Sequence, residues 1–165
     1  NLLVYEASTS NRYATFFYGE YDPQTGMLAF VNAGHNAPIV LRNGEAIRLE
    51  AGGPVIGLLK QAAYVQAACQ LCPGDMFIGY TDGISEAMTA DDDEWGEERM
   101  IETARRYRDL PPAQIIERTI AGADAFTSGT PQYDDMTLVC VKVACITDIP
   151  LQPRPNSSKA VEMLK

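Results

Sequence analysis

Two short acidic motifs hold the residues best suited to chemistry: Asp82-Gly83 within Tyr80-Thr-Asp-Gly-Ile-Ser-Glu86, and Asp134-Asp135 within Tyr133-Asp-Asp-Met-Thr137. Carboxylates are hard oxygen ligands for divalent cations, and a neighbouring glycine lets backbone come close to a ligand. Taken singly, each motif reads as a turn, where Asp-Gly and Asp-Asp are common. Taken together, with two helical segments between them, they are what a two-metal hydrolase needs if adjacent strands bring the carboxylates side by side. A pair of divalent ions there would activate water and neutralise a phosphoryl group.

Other reactive side chains are weaker candidates. His35, the only histidine, follows Gly34 in Asn32-Ala-Gly-His. A general acid is one reading; a turn residue that shapes its loop, with Asn32 bonding the same loop, is the better one. Cys69 and Cys72 form a C-x-x-C, and Cys140 and Cys145 complete the set. No second Cys/His pair has zinc spacing, so buried or half-buried structural thiols are expected. Asp91-Asp-Asp-Glu94 lacks the alternating ligands and glycine of an EF-hand and reads as a solvated acidic loop, anchored by Trp95.

These groups need strands to position them. Tyr13 to Tyr21 is rich in aromatic and β-branched residues, and Asp22-Pro-Gln-Thr-Gly26 supplies a turn before Met27 to Val31. Asn43-Gly44 between Ile39–Arg42 and Ala46–Leu49 is the strongest hairpin signal in the chain. Tyr64 to Leu71 and Met76 to Tyr80 read as further strands around Pro73-Gly74-Asp75. Apolar spacing then turns helical, with Met100, Ile101, Ala104 and Tyr107 on one face, and a second helix from Pro112 to Phe126. Met136 to Val143 is a nearly continuous apolar run, expected as a central strand buried on both faces.

The formal net charge of −9 opposes phosphodiester backbones and anionic membranes, which argues against nucleic acid as a partner. No apolar run is long enough to span a bilayer, and residues 1–17 lack the pattern of a signal peptide. No membrane insertion and a cytoplasmic location are the expectation.

Six blocks in order make a resemblance specific: Phe30-Val-Asn-Ala-Gly-His-Asn-Ala-Pro38, Gly52-Gly-Pro-Val-Ile-Gly57, Leu71-Cys-Pro-Gly-Asp75, Tyr80-Thr-Asp-Gly-Ile-Ser-Glu-Ala87, Gly96-Glu-Glu-Arg99 and Tyr133-Asp-Asp-Met-Thr137. Together they resemble the stage-II sporulation protein E and stress-response branch of the PPM-type phosphatases, relatives of protein phosphatase 2C. The resemblance implies an α+β fold, a β-sandwich flanked by helices, and hydrolysis of phosphoserine or phosphothreonine by water activated between two Mg²⁺ or Mn²⁺ ions. It implies Asp82 and Asp134 as metal ligands. Gly83 and Asp135 support them without binding metal, and Thr137 orients the loop.

The family's Gly-Asp strand, whose Asp bridges both metals, is not found before Tyr13, so the chain is expected to be an N-terminally truncated domain. That implies a partial phosphatase domain over 1–145, followed by a flexible Pro/Ser-rich tail over 146–165. The fragment is expected to bind metal weakly and to be impaired, while the parent protein dephosphorylates a signalling protein such as an anti-sigma-factor antagonist. The alternative is a non-catalytic signalling or binding module that keeps the fold. An exposed sheet edge would then favour self-association.

Overall fold

The computed structural model describes residues 1–8, 12–132 and 134–144. Three sequence readings lie outside these residues: Tyr133 of the Tyr-Asp-Asp-Met-Thr block, Cys145, and the tail over 146–165.

Two four-stranded sheets form a sandwich. In the first, β1 (Phe16–Asp22) pairs antiparallel with β2 (Met27–Ala33). The far side of β2 takes two partners, a short parallel β5 (Gly52–Gly53) and an antiparallel β6 (Ala67–Gln70). The second sheet runs β4 (Glu45–Arg48), β3 (Ile39–Arg42), β7 (Met76–Tyr80) and β8 (Leu138–Lys142), all antiparallel.

Alternation along the strands assigns their faces. Leu28 and Phe30 of the first sheet pack with Val40 and Phe77 of the second, and Phe17 stacks on Phe30 with ring centroids 5.8 Å apart. The opposite face of the second sheet presents Ile39, Leu41, Met76, Ile78 and Tyr80 to the helices. There α3 (Gly96–Arg106) buries Met100, Ile101 and Ala104, and α4 (Pro112–Thr127) buries Ile115, Thr119 and Ala123. For α3 this is the face the helical spacing predicts, and Pro112 sits in the first turn of α4.

The Asn43-Gly44 hairpin forms as read, both residues taking positive φ (51° and 86°), as the mirror-image turn requires. Asp75, almost fully buried, ties this sheet to its neighbour. It accepts from Arg42 Nε and Nη2 and from the Cys72 N–H at 2.8 Å. Burial alone would push the Asp75 carboxyl up, but these donors outweigh it and hold it below the usual range.

Three expectations need correction. Among the described residues β8 is an edge strand, not a central one, and its inner-face residues Val139 and Val141 remain 48% and 49% exposed. A continuous apolar run cannot distinguish a strand covered on both faces from one whose second face stays open. The strand read from Tyr64 begins only at Ala67. Cys72 is exposed rather than buried, although burial does push the Cys69 and Cys140 thiols up, away from the reactive thiolate. Finally, two short helices were not legible: α1 (Leu2–Ala7) and α2 (Asp82–Ser85).

Candidate metal centre

Strand β7 ends at the buried Tyr80, Thr81 follows as the N-cap, and Asp82 opens α2 with its side chain exposed. The chain returns through Asp134 and Asp135, both exposed, into β8, which pairs with β7 through Leu138↔Tyr80. Antiparallel pairing thus brings both acidic motifs to one end of the sheet.

Thr81 locks them together. Its hydroxyl donates to Asp135 O at 2.9 Å and accepts from the Thr137 N–H at 2.9 Å, while its own N–H donates to Thr137 O at 3.1 Å. Gly83 lets the backbones touch: a Cβ there would lie 2.6 Å from Asp135 O and 3.0 Å from Asp134 O. Each acidic side chain is oriented locally. Asp82 Oδ1 accepts from the Gly83 N–H at 3.0 Å, and Asp134 Oδ1 accepts from the Asp135 N–H at 2.7 Å.

Behind Asp134 lies a small cavity of about 120 Å³ between α2, the end of α4 and the following loop. Glu86, Asp124 and Asp134 contribute carboxylates to its wall, and no basic side chain lines it. The local field therefore favours a cation. Behind α2 stands Tyr80, whose hydroxyl donates to Glu97 Oε2, while Glu97 also accepts from Arg48. Burial, then the bond to Glu97, pushes the Tyr80 phenol well above its ordinary range, so it stays a neutral donor that ties the base of the site to α3 and β4.

The sequence named Asp82, Asp134, Gly83 and Asp135, and the structure brings all four together. His35 is bonded within its own loop and to Thr15: its backbone N–H donates to Asn32 Oδ1 at 2.8 Å, and its Nδ1 is 3.1 Å from Thr15 Oγ1. Among the described residues no hydrogen bond joins His35 to either acidic motif, and the loop-shaping arrangement with Asn32 matches the turn reading. Sequence reasoning missed Thr81, Glu86 and Asp124. Thr81 carried a weak signal, a hydroxyl at the strand end just before the Asp. Asp124 sits on the exposed side of a helix, and nothing local marks it.

The donor chemistry suits Mg²⁺ or Mn²⁺, which accept one or two carboxylates and fill remaining positions with water and substrate oxygens. Among the described residues no group of three or more His, Cys, Asp or Glu is placed to hold a metal, so an all-protein cage is not what these residues build.

A profile of the SpoIIE family, stage II sporulation protein E, matches residues 1–144. The chain belongs to the SpoIIE family. It is 33% identical over 133 residues to Protein IcfG of Synechocystis, which covers 78% of this chain and 20% of that protein. In fold it resembles the PP2C phosphatase domain with a fragment of the regulatory domain of the cell fate determinant SpoIIE from Bacillus subtilis. The TM-score is 0.69 at 23% identity, over 86% of this chain and 41% of that one. The Mn-presoaked SpoIIE phosphatase domain gives 0.62 at 20% identity, over 90% and 64%. The chain thus spans a fifth of its curated relative and under two thirds of these structures. The SpoIIE-family sandwich, mixed sheets with helices, is the fold expected from the six blocks.

Proposed function

We propose that this chain supplies part of the catalytic face of a metal-dependent protein serine/threonine phosphatase, with Asp82 and Asp134 as ligands of Mg²⁺ or Mn²⁺. The observation that carries this reading is the contact of the two acidic motifs at one sheet end, fixed by the Thr81 hydroxyl and the Gly83 backbone. A bound divalent cation would supply an activated water and neutralise charge on the phosphoryl oxygens. The residues of this chain do the positioning. Gly83 and Asp135 orient the two carboxylates through their N–H groups, and Thr81 fixes the separation of the loops.

With two carboxylates as the ligands, metal affinity and turnover by this chain alone are low, because unscreened acidic groups repel one another when the cation leaves. The substrate in this proposal is a phosphorylated signalling protein of the anti-sigma-factor-antagonist type, in the cytoplasm. That part rests on the resemblance. The partial domain over 1–145 with a separate tail over 146–165 belongs to the same proposal. We also propose that the β8 edge, with exposed Val139 and Val141, pairs with a second strand, so that the chain self-associates; a strictly monomeric mass at high concentration by light scattering would contradict it.

One observation favours a second reading, a binding module without turnover: no cluster of three candidate ligands exists among the described residues. Phosphate release from p-nitrophenyl phosphate and a phosphoserine protein, measured with and without Mn²⁺, separates the two. Slow, Mn²⁺-dependent release abolished in Asp82→Ala supports the phosphatase. No release despite measurable Mn²⁺ binding supports the binding module, and robust release would overturn the claim of a weak site.

A further inference from the structure

A second cavity, about 300 Å³, lies at the opposite end of the second sheet, where Met76 begins β7 and Lys142 ends β8. Its size is at the lower end of small-molecule sites. Strand β7 alone separates it from the Tyr80 end by roughly 13 Å. Three cations, Arg105, Arg108 and Lys142, line it against a single carboxylate, Asp109. In a chain of net charge −9 this concentration runs against the general field.

Local structure accounts for where these side chains sit: Arg105 is charge-paired with Glu102, whereas Lys142 is held only by neutral groups. Arg105, in the last turn of α3, complements the helix dipole and pairs with Glu102 at 2.6 Å. Its Nε donates to Gly44 O at 2.9 Å, which leaves Nη2 facing no protein acceptor among the described residues. Lys142 Nζ donates to the carbonyls of Arg108 (2.8 Å) and Leu110 (3.1 Å). Those partners are neutral: they hold the ammonium in place without cancelling it. Arg108 Nε lies 3.9 Å from Asp109, beyond hydrogen-bond reach, and both side chains are largely exposed.

The rim is also accessible. Gly44 and Gly74 take left-handed conformations, and a Cβ would meet nothing within 4 Å at Gly74 and only Arg105 Nε, at 4.0 Å, at Gly44. Backbone there can approach a ligand.

We propose that this cavity binds the phosphate group of a small phosphorylated molecule, held by charge-assisted hydrogen bonds from Lys142, Arg108 and the free Nη2 of Arg105. Preorganisation of Lys142 by carbonyls lowers the ordering cost of binding, and ammonium and guanidinium groups form charge-assisted bonds to phosphate oxygens. The site is independent of the proposed metal centre and holds whether or not that reading does.

Isothermal titration of the whole chain with pyrophosphate in EDTA tests it. The expected result is one saturable site per chain for pyrophosphate. Affinity should fall about tenfold in Lys142→Met and in Arg108→Ala, the loss of one charge-assisted hydrogen bond, and stay unchanged in Asp82→Asn. Arg108 is exposed, so its variant keeps the fold even if the Lys142 variant does not. Absence of saturation, or equal affinity in wild type and Arg108→Ala, would overturn the proposal.

Discussion

Gly83→Ala sets two opposing effects against each other at the centre of the site. Gly83 lies in α2 without a positive φ, so alanine is conformationally welcome there, with a gain of roughly 1 kcal/mol from helix propensity and a less flexible unfolded chain. Against this, the new Cβ would meet Asp135 O at 2.6 Å, Asp134 O at 3.0 Å and Asp135 C at 3.0 Å. All three are backbone atoms, and the loop carrying them is tied down by Thr81. Ordinary contact begins near 3.4 Å, so the loop must move by several tenths of an ångström. Overpacking of this kind costs about 1–3 kcal/mol. Because the 2.6 Å clash is with backbone that cannot rotate away, the cost falls in the upper part of that range, about 2–3 kcal/mol. The net expectation is therefore a destabilisation of about 1–2 kcal/mol, or roughly 3–6 °C in Tm for a domain of this size. Calorimetry reads the stability, and Mn²⁺ titration reads whether the Asp82 and Asp134 loops have separated, which should weaken binding. A stabilised variant with unchanged Mn²⁺ affinity would refute the close approach.

Thr81→Val keeps shape but removes both hydroxyl bonds between the motifs; a loss of about 1–2 kcal/mol, with weaker Mn²⁺ binding in the same protein, is expected, and stability equal to wild type would count against the clamp. Asp75→Asn leaves Arg42 without its carboxylate and should cost about 2–3 kcal/mol at pH 7, below the fully buried range because Arg42 keeps some access to water. Because the Asp75 carboxyl is held below its ordinary value, its contribution is complete above about pH 4 and is lost as pH falls through the lower folded value. The gap between wild type and Asp75→Asn in denaturant midpoints should therefore narrow on acidification, and a gap that widens would contradict the sign.

Much of this architecture was legible because its signals are local. Asn43-Gly44 fixes a hairpin through its two positive φ angles, and the three- to four-residue spacing of Met100, Ile101 and Ala104 names the buried face of α3. Asp82 and Asp134 stood out by residue type, Asp82 beside a glycine and Asp134 beside a second carboxylate, and strand pairing brings their motifs to one end of the sheet. What was not legible depends on contacts distant in sequence. Whether Val139 and Val141 are covered depends on what lies beside β8, not on their own alternation. Thr81 became a clamp only because the Asp135 carbonyl arrives opposite it. Asp124 joins Glu86 and Asp134 around one cavity through the packing of α4, which its own segment does not encode.

The most direct test is a Mn²⁺ titration followed by electron paramagnetic resonance, on the chain and its Asp82→Asn and Asp134→Asn variants. Joint ligation predicts weak binding in the wild type and a loss of about tenfold or more in each variant, because each amide removes one anionic oxygen donor from the same ion. Mn²⁺ affinity unchanged in either variant would contradict the claim that the two motifs form one metal site.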